Sequence, residues 1–324
     1  MRLKIFCSAV TGVLAFLFVG PVFAQEAFPS KPLRIVIPWP PGGPPDLMAR
    51  LAAPKMSELL GKPVVVENRA GATGTIGTGA VVKSAPDGHM LLLTPNQPIV
   101  MAPALFPTPY DPSKDLAPVA TLGESMNALV VNAASNVHSV ADLIAAARAK
   151  PGAVTFSSSG QGSIGHLTGE LIKQLAGIDM LHIPYKSAGQ SVTAVVVEEV
   201  TVSGSSIQQS LPYIKAGKLR GLGVTGVKPS KYLPELKPLA EQGVPGMAIT
   251  VWYAAYAPAK TPRAILHTWR ETLLKAFQDP AVQQKLDSVG IEWMWQEPDQ
   301  ISARIEKELG QWRKVVRAAN IQAH

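Results

Sequence analysis

The sequence predicts an α/β fold of two lobes, each with a mostly parallel sheet, and three observations carry that prediction. From residue 31 onward, short β-branched runs alternate with amphipathic helical stretches. One supersecondary unit, a buried strand that ends in a loop of small residues and feeds straight into a helix, occurs once in each half of the chain. Finally, 324 residues with 47% hydrophobic content and a single cysteine, Cys7, must be stabilised by ordinary apolar cores, and the chain is long enough for two.

The chain opens with Met1-Arg2-Leu3-Lys4, continues through the apolar run IFCSAVTGVLAFLFV and reaches Val22-Phe23-Ala24. A charged start, an apolar core too short to span a bilayer and a small-residue end predict a secretory signal peptide over 1–24, cleaved near Ala24, and a periplasmic location. Without Arg2 and Lys4 the mature chain has 28 basic against 23 acidic residues, a net charge of about +5. That mild field favours small anions. The basic residues are scattered singly with no aromatic-basic stripe, so nucleic acid is not an expected partner.

Strands are expected at Leu33–Pro38, Val64–Glu67 and Met90–Thr94, with helices at Asp46–Leu60 and Ile76–Ser84 between them. After a proline-rich segment, 101–118, a second series begins. It has strands at Ala128–Asn132, Ala153–Phe156, Met180–Pro184, Val200–Gly204 and Leu219–Val224, and helices at Ser139–Lys150 and His166–Leu175. Ser139 and Asp142 suit a helix cap and first turn. A final β-type run, Ile249–Ala257, leads to helices Arg263–Phe277 and Ile301–Ala319, whose apolar residues recur at helical spacing. These boundaries predict one lobe from 25–126 plus 248–324 and another from 127–247, with hinges near Gly123–Ala128 and Val251–Ala257.

The repeated unit is where chemistry is expected. Its first copy is Leu33–Ile37, then Pro38-Trp39-Pro40-Pro41-Gly42-Gly43-Pro44-Pro45, then a helix from Asp46. Its second copy ends in SSSGQGSIGHL, 157–167. The first N–H groups of a helix lack partners, and its dipole leaves about half a positive charge there. An anion can therefore bind without a cationic side chain, and glycines let the backbone approach it. Gly160, Gly162 and Gly165 also spell the dinucleotide fingerprint, but that reading needs an acidic residue at the end of the next strand, which ends instead in Tyr185-Lys186. The predicted anion is thus a carboxylate between two lobes, and no cofactor is expected.

Other chemistry finds less support. The histidines fall in no metal-ligand spacing, so no metal is expected. Ser163 lies in G-S-I-G and lacks the glycine of a nucleophile elbow, which leaves a secreted hydrolase on the same scaffold only as the alternative reading. Asp46 reads as a helix-capping carboxylate. Trp39 and Tyr185 flank the two loops and either wall the cleft, stacking on an aromatic ligand, or pack beneath the loops.

Longer passages carry a family resemblance: PSKPLRIVIPWPPGGPPDLMARLAAPKMSELLGKPVVVENRAGATGTIG, SAPDGHMLLLT, PYDPSKDLAPVA, HIPYKS, LPYIKAGKLRGLGVT and WYAAYAP. Across essentially the whole mature chain they resemble the Bug family, the tripartite tricarboxylate transporter receptors of the bacterial periplasm. The resemblance implies a periplasmic binding protein-like fold with two crossover strands, closing like a flytrap on a small-molecule carboxylate. It implies no enzyme activity, a monomer, and docking on the membrane components of a tripartite transporter. Its motifs fall on Gly42, Gly43 and Asp46, on Thr94, Asn96 and Gln97, and on Ser158, Ser159, Gly160, Gly162 and Ser163. Three departures stand out. Pro45 replaces a small or polar residue, Gly165-His166 stands where a pair of histidines is common, and Gly204-Ser205-Ser206 stands where many members carry an Asp. Ser205 thus joins the expected ligand-binding residues, and ligands bearing an ammonium group are expected to be disfavoured.

Overall fold

The computed structural model describes residues 28–321. The expected signal peptide and its cleavage site lie outside that range. In chain order the elements are β1 (Leu33–Ile37), α1 (Pro44–Leu60), β2 (Val64–Asn68), α2 (Thr75–Val82), β3 (Met90–Pro95), α3 (Ala102–Leu105), α4 (Pro112–Asp115) and β4 (Leu116–Ser125). Then come β5 (Asn127–Asn132), α5 (Val140–Ala149), β6 (Thr155–Ser158), α6 (Ile164–Ala176), β7 (Leu181–Pro184), α7 (Ala188–Val196), β8 (Val202–Ser206), α8 (Ile207–Lys215) and β9 (Leu219–Val224). The chain finishes with β10 (Val251–Pro258), α9 (Arg263–Phe277), α10 (Pro280–Ser288) and α11 (Pro298–Ala318).

The strands form two five-stranded sheets of matching order, β2-β1-β3-β10-β4 and β7-β6-β8-β5-β9. In each, the fourth strand runs antiparallel to both neighbours and the others are parallel. That fourth strand follows a passage from the other sheet, so the fold is the two-lobed α/β fold of periplasmic binding proteins, with two crossings. One crossing is short, 125–127; the other spans 225–250. They are hydrogen-bonded side by side, Thr225 N–H donating to Asn127 O at 3.0 Å and Ile249 N–H to Thr225 O at 2.9 Å. The second hinge expectation needs correction, because Val251–Ala257 lies inside β10, a central strand whose residues 252–257 are all buried.

Local chemistry accounts for the elements that position the loops. In α1, Met48, Ala49, Ala52, Ala53 and Met56 recur every three or four residues and are buried against the first sheet, while Gly61, at φ +63°, ends the helix. In α6, Leu167, Leu171 and Ile172 form the buried face, and Ser163 caps the start by accepting the His166 N–H at 3.3 Å. Ser139 does the same for α5, accepting from Asp142 N–H at 3.1 Å. Burial of β10, α9 and α10 residues with Met48 and Met56 makes one core, whereas the other face of the first sheet joins α11 and the second sheet in a cluster spanning both lobes. Among the described residues no helix is long and apolar enough to cross a membrane.

Candidate functional site

The C-terminal ends of β1, β3, β6 and β8 carry the residues singled out in the sequence, as expected for open α/β sheets. In the first loop, Gly42 takes φ +87°, and Gly43 caps α1 with its backbone alone. Asp46 turns back on the loop: Oδ2 accepts the Gly42 N–H at 2.9 Å, while Oδ1 accepts from Asn68 Nδ2 at 2.9 Å and Arg50 Nε at 3.0 Å. Burial pushes this carboxyl up, but the Arg50, Gly42 and Asn68 hydrogen bonds outweigh it, and it sits below the usual range. Asp46 is therefore a structural clamp, and since Pro44 and Pro45 have no N–H, α1 offers an anion fewer donors than an ordinary helix start.

Asp46 gives the first testable result. Asp46→Asn should cost about 2 kcal/mol near neutral pH, because a charged acceptor of three hydrogen bonds is replaced by a neutral one. With the folded value depressed, that contribution is fully present above the unfolded value of 3.8 and is lost as pH falls through the folded one. Urea titrations should therefore show a constant gap between wild type and variant above pH about 4 and a closing gap below it. A gap that widens with acid would contradict the clamp.

The second loop is more tightly organised. Ser158 belongs to β6, and its Oγ lies 2.7 Å from His182 Nε2 while also accepting the Gly160 N–H at 3.1 Å. The Gly162 N–H donates to His166 Nδ1 at 3.0 Å, and the Ser163 N–H to Gly160 O at 3.2 Å. Three loop N–H groups are thus used within the loop and the His166 N–H is taken by Ser163 Oγ, so that among the described residues the N–H groups of Ser159, Gln161, Ile164 and Gly165 have no protein acceptor. Ser163 is the N-cap of α6, with its Oγ committed to His166 N–H. Gly160 and Gly162 take φ +113° and +72°, conformations that reserve both positions for glycine. Gly162 lies against Leu105 of α3, so this loop abuts the other lobe.

Five expected residues carry a buried side-chain atom without a protein partner: Trp39 Nε1, Asn96 Oδ1, Gln97 Oε1, Tyr185 Oη and Ser205 Oγ. Asn96 is 1% exposed and its orientation is set by its Nδ2, which donates to Thr250 O and Glu308 Oε2, both at 3.2 Å. Buried polar atoms are nearly always paired, so these stand out as unmet hydrogen-bonding capacity. Two candidates go elsewhere. Thr94 spends its hydroxyl on Pro95 O at 3.0 Å. Tyr185 lies in a separate groove of about 620 Å³ along α7, with Lys186, Gln190, Val197 and Glu199, and burial together with the Glu199 carboxylate raises its phenol.

Two constellations escaped the sequence reading. His166 and His182 stack with ring centroids 3.9 Å apart and planes at 11°, and Phe156 stacks on His182 at 4.9 Å. Near the crossings, Arg304 of α11 donates to Glu308 Oε1 and to Thr250 Oγ1, each at 2.7 Å, and Thr250 Oγ1 in turn donates to Glu124 Oε2 at 3.0 Å. No group of three metal-ligating side chains occurs among the described residues.

Two matched five-stranded sheets joined by two crossings, with helix-start loops at the strand ends, are the architecture of the two-lobed periplasmic solute-binding proteins. The chain belongs to the tripartite tricarboxylate transporter family of receptors, whose family model matches residues 48–321. These are periplasmic transporter receptors, not enzymes. BugT of Bordetella pertussis is 35% identical over 312 residues, covering 95% of this chain and 96% of its own length. Among solved structures, R. palustris Rpa4515 with adipate has a TM-score of 0.75 at 31% identity, covering 91% of this chain and 99% of that one. MatC of Rhodopseudomonas palustris with bound malate has a TM-score of 0.72 at 27% identity, covering 89% and 100%.

Proposed function

We propose that this chain, exported by its signal peptide with cleavage near Ala24, captures a small organic carboxylate between its lobes and presents it to the membrane components of a tripartite transporter. The unpartnered atoms at the strand ends carry this reading. Trp39 Nε1, Asn96 Oδ1, Gln97 and Ser205 Oγ supply donors and acceptors, and the first turn of α6 supplies the positive end of a dipole. Gly43 and Ser159 complete the proposed set. The lobes are taken as 25–126 plus 248–324 and 127–247, acting as a monomer. A ligand that touches both lobes stabilises their closed arrangement by the difference in its affinity for the two states.

The ligand class follows from charge. The carboxylates beside these loops, Asp46, Glu170 and Glu308, are engaged by protein donors, and Gly204-Ser205-Ser206 brings none. An ammonium group entering the cleft would lose its hydration without meeting an anion. Adipate and malate, the ligands of the two relatives, are therefore the first probes. Calorimetry should give an affinity for at least one of them that exceeds those for aspartate and glutamate by ten-fold or more, a difference of about 1.4 kcal/mol. Tight binding of aspartate or glutamate with no binding of plain or aromatic acids would refute the proposal.

A further inference from the structure

We propose that His166 is a positioning residue: its Nδ1 holds the 158–163 loop in ligand-receiving shape, and it can do so only as a neutral imidazole, with His182 as its stacked support. The inference rests on the reading of that loop as part of the ligand site. The decisive contact is the Gly162 N–H, which points at His166 Nδ1 from 3.0 Å. A backbone N–H can only donate, so Nδ1 must be the unprotonated nitrogen and the ring proton must sit on Nε2. A proton on Nδ1 would set two donors against each other and force Gly162, and with it the loop, away from the start of α6.

The surroundings keep the ring neutral at ordinary pH. His166 is 4% exposed and lies between α6 and the His182 ring, which is backed by Phe156. Stacked at 3.9 Å, the two imidazoles cannot both carry charge without strong repulsion. On α6, Glu170 Oε1 stands 3.9 Å from His166 Nε2, but it is engaged by Lys173 at 3.2 Å, and Lys173 also reaches Asp179 at 3.4 Å. Strands β6 and β8 bring no ionisable side chain. On α11, which packs on α6, Arg304 and Glu308 are held at the crossings, and Glu306, Lys307, Arg313, Lys314 and Arg317 are exposed. Burial first, then Lys173, brings His166 down to about 4; burial, His166 and Lys173 do the same to His182. With the folded value depressed, the neutral form's contribution is complete above the ordinary value of 6.5 and is lost as pH falls toward about 4.

The test combines amide exchange at Gly162 with calorimetry of adipate and malate, on wild type, His166→Phe and His166→Asn. The Phe variant keeps the stack but has no acceptor. The Asn variant places a carbonyl oxygen near the Nδ1 position and cannot titrate. Expected at pH 7 are a Gly162 protection factor at least ten-fold lower in His166→Phe than in wild type, dicarboxylate binding at least ten-fold weaker, and recovery of both to within about three-fold in His166→Asn. On acidification, wild type should lose Gly162 protection, whereas His166→Asn should keep it in that window; the dicarboxylates titrate in the same range, so the acid comparison is read on Gly162 alone. Unchanged Gly162 protection in His166→Phe overturns the proposal, as does an acid loss of Gly162 protection in His166→Asn identical to wild type. If neither dicarboxylate binds wild type, the carboxylate reading fails, and Gly162 protection across pH decides the role of His166 by itself. That wild-type titration also decides it if the Phe variant does not fold.

Discussion

Replacing Arg304 with alanine should lower the melting temperature by roughly 10 °C, since breaking a largely buried ion pair costs about 3–5 kcal/mol and each kcal/mol moves a chain of this size by about 2–4 °C. The side chain of Arg304 is 18% exposed and those of Glu124 and Glu308 15% each. Its guanidinium covers the Trp252 ring at 4.9 Å while bonding Glu308 and Thr250. Without it, two carboxylates face each other across Thr250 with Trp252 Nε1 and Asn96 Nδ2 as the remaining donors to Glu308. Arg304→Lys should recover little, because an ammonium has no fixed fork to reproduce the Nε contact to Glu308 and the Nη2 contact to Thr250 together. Arg304→Met combined with Glu308→Gln should recover more than half, because the uncompensated charge leaves with its partner. Scanning calorimetry decides; a loss under 3 °C for Arg304→Ala would mean that water already screens the cluster.

The same cluster shows what a sequence reveals and what it hides. Arg304 and Glu308 are four apart on an amphipathic helix, a spacing that ordinarily marks a solvated surface pair. Only the tertiary fold brings Thr250 and Glu124 to them. The alternation of strands and helices was legible because buried strands are short and apolar and helices repeat every three to four residues; the two-lobed α/β class followed from it. Strand β4 was not read, since Pro118 and Gly123 interrupt it, and it forms an edge, where proline is tolerated. Helices α7 and α8 were missed for similar reasons, one being rich in small residues and the other containing Pro212. The antiparallel sense of β5 and β10 leaves no mark, because a strand buried on both faces looks alike in either direction.

At the site, glycine spacing and helix starts pointed to the right loops but overstated their free donors. Asp46, Ser158 and His166 consume N–H groups of Gly42, Gly160 and Gly162 that glycine counting alone leaves available. The helix-cap reading of Asp46 is corrected by the structure: Gly43 is the N-cap, and the Asp46 carboxylate, one turn in, binds back to the Gly42 N–H and across to Asn68 of β2, a partner that only the tertiary fold supplies. The stacked histidines depend on the tertiary fold as well. They come from α6 and β7, 16 residues apart, and meet only because β7 lies beside β6 while α6 packs over both.

Gly169→Ala should destabilise the protein by about 2 kcal/mol, although the same exchange in an exposed helix stabilises by about 1 kcal/mol. A methyl group on Gly169 would lie 2.2 Å from Cε2 and 2.5 Å from Cδ2 of Phe156, far inside van der Waals contact. Phe156 cannot yield freely, because it is 2% exposed and stacked on His182. Displacing it pushes His182, which in turn disturbs both Ser158 Oγ and the ring of His166. The effect should therefore appear twice, as a melting temperature lower by about 4–8 °C and as faster exchange of the Gly162 amide. Gly310→Ala on α11 is the internal comparison: it has open space around the added methyl and should raise stability by about 0.5–1 kcal/mol. Adding Phe156→Leu to Gly169→Ala should recover part of the melting temperature by removing the clashing ring edge, but not the Gly162 protection, because the flat support under His182 would be gone. If Gly169→Ala melts at or above wild type with Gly162 unchanged, the packing of Phe156 does not transmit to the loop, and the histidine pair stands on its own.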